Sequence, residues 1–210
     1  VIAAHQTMLA PPALPYDAEV EYLESTGTQY IDTGIAPVFP SNLEYRARIR
    51  WTNTTNRQIM GLQGGMYVGV VNGKYQPGYG GNTTVSAPVL AGVACDVGAK
   101  FYLTTPDVNH LSRVDWALDS SAGTIYTQLY YYKPAGSTVW LFVANDATTL
   151  RGSSAIYSFQ ILVNGILVRD FQPVRVGSGS SAVGYLYDRV SGTLFGNAGT
   201  GAFPIGPDKT

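Results

Sequence analysis

Charge is scarce in this chain. Only 13% of its 210 residues are Asp, Glu, Lys or Arg, about half of the ~25% usual in a globular domain. Exposed helix faces draw on those residues, so the deficit argues against a helical protein. The formal net charge is −1, which offers no basic surface for a phosphate backbone and argues against a nucleic-acid partner. The single cysteine, Cys95, allows no intrachain disulfide and reads as a small buried hydrophobe. With only His5 and His110 as histidines, zinc lacks a ligand set and a Cys–His catalytic pair lacks support. No apolar run reaches the ~18 residues that would suggest a bilayer-spanning helix, so no membrane insertion is expected.

What the chain has in quantity is glycine, at 24 residues, and tyrosine, at 15. That combination favours turns and strands. Leu43 to Trp51 is the cleanest strand signal. Its odd positions are apolar and its even positions carry Glu44, Arg46, Arg48 and Arg50, the period of a half-buried strand with one wet face. Asn72-Gly73 and Asn164-Gly165 are hairpin dipeptides between apolar runs. Asp119 to Gly123 reads as a turn between strands at 111–118 and 124–133. No stretch shows a 3.6-residue period. A dozen or so short strands imply one all-β antiparallel sandwich or barrel over residues 16–210. Residues 1–15, with Pro11, Pro12 and Pro15, read as an extended arm or linker.

Three segments carry a resemblance. The first runs from His110 through Asp119 to Tyr126, a His-headed strand ending in Asp, a Gly-containing turn and a returning strand. The second is Ala155-Ile156-Tyr157-Ser158-Phe159-Gln160-Ile161. The third joins the opening, Glu21 to Gly34, with the ending, Gly196 to Phe203. They resemble the concanavalin A-like lectins and glucanases, and within them the laminin-G-like jelly rolls. The opening and ending are similar to a subgroup found in gut-bacterial surface proteins and phage structural proteins. The resemblance implies a two-sheet jelly-roll sandwich, with a virion or extracellular, cell-surface location.

Glucanases of that fold carry an acidic triplet on one strand, and Glu19-Val20-Glu21-Tyr22-Leu23-Glu24 invites comparison with it. Retaining hydrolysis needs two carboxyls ~5–5.5 Å apart, which one strand can supply. Here Glu21 replaces the central Asp and the segment opens the domain, so no catalytic residue is assigned. Sugar binding in this fold stacks aromatic rings on the sugar, with polar neighbours bonding its hydroxyls. The candidates are Trp51, Arg57, Gln58, Tyr67, Tyr75, Tyr79 and Asn82, the last three in a Tyr-, Gly- and Asn-rich loop, Tyr75 to Asn82, that is the best of these. Asp96, Asp107, Asp115 and Asp119 raise calcium, which such domains often hold, but no dense acidic loop is present. No cofactor is expected.

The expected function is therefore non-catalytic recognition or adhesion, binding a glycan or host-surface receptor. Two alternatives stand beside it: a purely structural virion subunit, such as a capsid decoration or fibre, and a retaining glycoside hydrolase using Glu19 and Glu24. Contact with neighbouring virion or surface proteins through residues 1–15, and homo-oligomerisation, complete the expected partners.

Overall fold

A computed structural model of the chain describes residues 13–36, 38, 40–62, 66–79, 85, 87–103, 111–128, 137–143 and 153–210. All named elements but one are strands, the exception being a 3-10 turn at Gly179–Ser181. No described helix is long and apolar enough to cross a membrane. Most of the expected arm, residues 1–12, lies outside the described residues, as do His110, the Asp107 considered for calcium, and 129–133 of an expected strand.

The strands form two antiparallel sheets packed as a sandwich. The larger contains β1 (Ala18–Glu19), β2 (Leu23–Thr26), β4 (Ser41–Trp51), β8 (Ala94–Leu103), β9 (Leu111–Leu118), β10 (Ser121–Gln128), β12 (Ser153–Val163), β13 (Ile166–Val176), β14 (Val183–Asp188) and β15 (Thr193–Phe195). Its order is β10-β9-β8-β4-β12-β13-β14-β15, with β1 on β13 and β2 on β12. The smaller sheet is ordered β3 (Ile31–Asp32), β11 (Trp140–Leu141), β5 (Asn56–Leu62), β6 (Met66–Val71) and β7 (Lys74–Tyr79). This is the all-β sandwich expected, consistent with a jelly-roll-like arrangement.

The alternation read from β4 holds along its length. Leu43, Tyr45, Ala47, Ile49 and Trp51 are buried, while Glu44, Arg46, Arg48 and Arg50 are intermediate or exposed. Across the sandwich the buried face meets Met60, Leu62, Val68, Val70 and Tyr75 of the smaller sheet in one core cluster. The Tyr45 and Tyr75 hydroxyls meet at 2.6 Å, and Tyr75 donates onward to the Gly98 carbonyl at 3.1 Å. Burial drives both tyrosines' pKa values up, so this buried relay stays neutral and ties the sheets together.

Both Asn-Gly dipeptides make hairpin tips. Asn72-Gly73 joins β6 to β7 and Asn164-Gly165 joins β12 to β13, with all four residues at positive φ as a type I′ turn requires. The expected five-residue turn at Asp119–Gly123 is shorter. Ser121 already pairs with Leu118, so the connection is Asp119-Ser120 alone, and Gly123 lies inside β10 opposite Trp116. A Cβ on Gly123 would stand 3.0 Å from the Trp116 indole. Glycine here makes room for a ring and does not break the strand.

Residues 19–24 do not form a single strand. β1 pairs with β13 and β2 with β12, and both also border the C-terminal segment. Val20 bridges Asp208 and Leu23 bridges Ile205, while Lys209 N–H donates to the Glu19 carbonyl.

Candidate functional site

Pairing register places one row of residues across the outer face of the larger sheet. Arg46 of β4 stands opposite Gly98 of β8, Gly98 opposite Ala117 of β9, and Ala117 opposite Ala122 of β10. On the other side Arg46 faces Gln160 of β12, and Gln160 faces Asp170 of β13. Directly opposed residues share a face, so the row Ala122–Ala117–Gly98–Arg46–Gln160–Asp170 is continuous. Three of its members have little or no side chain.

The rows on either side are longer side chains. Glu44, Lys100, Asp115 and Thr124 form one flank, and Asp96, Arg48 and Ser158 the other. The result is a furrow floored by small residues over β8, β9 and β10 and by Arg46, Gln160 and Asp170 over β4, β12 and β13. It contains two adjoining cavities of about 390 and 340 Å³, which share Arg46, Asp96 and Val97 on their linings. A Cβ on Gly98 would make only ordinary contacts, at 3.4 Å from the Tyr45 carbonyl oxygen and 3.9 Å from Ala117 Cβ. Packing therefore does not demand glycine there, yet its absent side chain opens the floor. Tyr75 holds that floor from below through the Gly98 carbonyl.

The charges are paired along the furrow. Arg46 meets Glu44 at 2.6 Å, Arg48 meets Asp96 at 3.2 Å and Arg189 meets Asp170 at 2.8 Å. Asp115 accepts from Arg113, Thr124 and Tyr102 at 2.7–2.8 Å. Burial pushes the Asp115 carboxyl up, but those donors outweigh it and hold the group below the ordinary carboxylate range. Asp119 caps one end, its carboxylate accepting the Asp96 N–H at 2.9 Å. Lys100 rests over the Tyr102 ring, 5.2 Å from the centroid. Side chains so paired orient one another and keep lone pairs and N–H groups for a polar ligand. The described residues contain no acidic or His/Cys cluster able to hold a metal.

The aromatic candidates fall elsewhere. Trp51 and Tyr75 are fully buried, because both lie on inward positions of their strands, so neither ring presents a face for stacking. Arg57, Gln58 and Tyr67 lie on β5 and β6 of the smaller sheet. There Gln58 is opposite Gly69, and Tyr67 opposite Gly61 and Gly78. Gln58 is buried at 4% exposure and its Oε1 finds no partner among the described residues, while burial raises the pKa of half-buried Tyr67. Tyr79 ends β7 with its side chain outside the described set, and Asn82 lies outside the described residues. The seven candidates thus do not converge on one surface among the described residues.

The furrow residues were visible singly. Glu44, Arg46 and Arg48 mark a wet strand face in the sequence, and Asp96, Asp115 and Asp119 are among its acidic residues that raise calcium. Only register shows that they share a face. Glu19 and Glu24, considered for hydrolysis, sit on β1 and β2 with different neighbouring strands. Glu24 pairs with Arg50 at 2.7 Å, and Glu19 lies 3.6 Å from Lys209.

No family model matches the sequence, and no curated protein matches it. Among solved structures, the chain is similar to a putative carbohydrate binding protein from Bacteroides ovatus, with a TM-score of 0.62 at 12% identity. The match covers 91% of this chain and 61% of that protein, so the chain spans about three fifths of the neighbour's length. At that identity the likeness establishes the fold.

Proposed function

We propose that this domain is a non-catalytic glycan-binding module of the concanavalin A-like, laminin-G-like kind, with the furrow as its site. The observation that carries this is the floor of Gly98, Ala117 and Ala122 between two polar flanks. A sugar is flat, hydroxyl-rich and uncharged over most of its surface. A small-residue floor admits its thickness, and fixed carboxylates, guanidinia and an amide bond its hydroxyls. The fold it shares with a protein named for carbohydrate binding supports the reading. The resemblance of Glu21–Gly34 and Gly196–Phe203 to bacterial surface and phage structural proteins supports display on a cell or virion surface.

The test is a glycan array probed with the chain and with Gly98→Leu, which fills the floor while leaving the core face of β8 untouched. Wild type should bind a subset of glycans, and the variant should lose roughly a hundredfold in affinity with an unchanged melting temperature. Equal binding by a folded Gly98→Leu would remove the furrow as the site.

A further inference from the structure

We infer that a recess at the end of the sandwich, beside Cys95, binds a small aromatic amine: one ring carrying a protonated primary amine on a short alkyl arm. The recess lies where the chain crosses from one sheet to the other. Val85 and Ala87 bond to Tyr75 of β7, and Val89 N–H donates to the Gly73 carbonyl at the β6–β7 tip. By Ala94 the chain has entered β8 in the larger sheet. The crossover between them, Leu90-Ala91-Gly92-Val93, is tied to both sheets. Val89 holds one side, and Gly92 N–H donates to the carbonyl of Trp51, the last residue of β4, at 2.8 Å. Gly92 turns the chain at a φ of 76°, which a glycine adopts without strain.

Size and lining set the class of ligand. The recess holds about 200 Å³, and an apolar cavity of ~150 Å³ accommodates benzene, so there is room for one ring and a short arm. Pro88 and Val89 wall it on one side, Cys95 of β8 and Leu118 of β9 on the other. Cys95 is the first in the buried series Cys95, Val97, Ala99 and Phe101, and its small side chain leaves the recess deep. Leu90 and Val93 stand at the mouth, 67% and 51% exposed. The one charged lining residue is Asp119, on the tip between β9 and β10. Its carboxylate accepts the Asp96 N–H at 2.9 Å and meets no cation among the described residues, whereas Asp96 is paired with Arg48. Burial, with Asp119 and Asp96 adding to it, pushes the Cys95 thiol up to about 12. The thiol therefore stays neutral, and the Asp119 charge is felt inside the recess. A bare cation gains nothing from the apolar walls, a neutral ring gains nothing from the carboxylate, and an anion is repelled. A ring bearing an amine uses both. Asp119 also borders the furrow, but none of the apolar lining does, so this site and the glycan reading stand or fall separately.

The experiment is calorimetric titration of the intact chain at low salt with 2-phenylethylamine, its uncharged analogue 2-phenylethanol, the anion 3-phenylpropionate, and methylamine. Amide chemical shifts report where each probe binds. The aromatic amine should bind roughly tenfold tighter than the alcohol, with shift changes centred on Leu90, Val93 and Cys95. The anion and methylamine should not bind. Asp119→Asn keeps an oxygen for the Asp96 N–H and should bring amine and alcohol to equal affinity. Val93→Arg sets a cation at the exposed mouth and should abolish amine binding with an unchanged melting temperature, while Gly98→Leu in the furrow should bind the amine like wild type. Equal affinity of wild type for amine, alcohol and anion would overturn the inference. So would amine binding retained by a folded Val93→Arg, amine binding lost in a folded Gly98→Leu, or no binding of the amine to wild type at all.

Discussion

The outer faces of the two sheets carry opposite solutions to the same pattern. On the larger sheet, alternation leaves Glu44, Arg46, Arg48, Lys100 and Asp115 outward, each engaged with a neighbour but none deeply buried. On the smaller sheet the corresponding positions hold Gln58, Gln76, Gly61, Gly69 and Gly78, and all five are buried. Small residues occur on both faces but do different work. Gly98 leaves open space, whereas a Cβ on Gly69 would meet the Arg57 carbonyl oxygen at 2.2 Å, at the bulge between Gln58 and Met60. One glycine opens a floor and the other permits a backbone contact. A glycine-rich face is therefore not in itself a trough.

The contrast can be broken most severely through the aromatic core. Trp51→Ala should cost about 3–5 kcal/mol of unfolding free energy, measured by denaturant titration, because the ring is fully buried. Trp51→Phe should cost much less, since the indole N–H has no hydrogen-bond partner among the described residues to lose. If Trp51→Ala instead left stability unchanged and abolished glycan binding, Trp51 would belong to the site after all.

A middling effect is expected in the furrow. Asp115→Asn should weaken glycan binding by roughly tenfold, equivalent to ~1.4 kcal/mol, while stability falls little because Arg113 and the carboxylate are partly exposed. On the smaller sheet, Gln58→Leu removes a buried carbonyl oxygen that has no partner among the described residues. It should leave stability within about 1 kcal/mol of wild type or raise it, with binding unchanged. A loss of binding in that variant would move the site to the other sheet.

The smallest effect is the pH response. The folded-state pKa of Asp115 lies below its unfolded value of ~3.9, so its ion pair contributes fully above that value. The contribution is lost as pH falls through the folded pKa. Stability and binding should therefore hold from neutrality to about pH 5 and decline only below about pH 4, as followed by thermal melts and titration. A decline centred near pH 6 would point to a group other than Asp115.

The sandwich was legible because its signals are local. The period of two along 43–51 and the two Asn-Gly turns each depend on neighbouring residues. The furrow was not legible as a site, since Arg46, Gly98, Ala117 and Gln160 are brought together by strands distant in sequence. Nothing in the composition of β8 announces that Gly98 will face Ala117. Aromatic content drew attention to Trp51 and Tyr75, yet the alternation along β4 already assigned Trp51 to the inward set. Where residue type and strand phase disagreed, phase was the better guide.

The seam between residues 19–24 and 204–209 also has a kinetic meaning. A ribosome makes the first of these segments long before the second, and β1 and β2 gain their β13 and β12 neighbours almost as late. Sandwiches dominated by such distant pairings fold in milliseconds to seconds. The early strands would remain unpaired through most of synthesis, so this fold closes from its end.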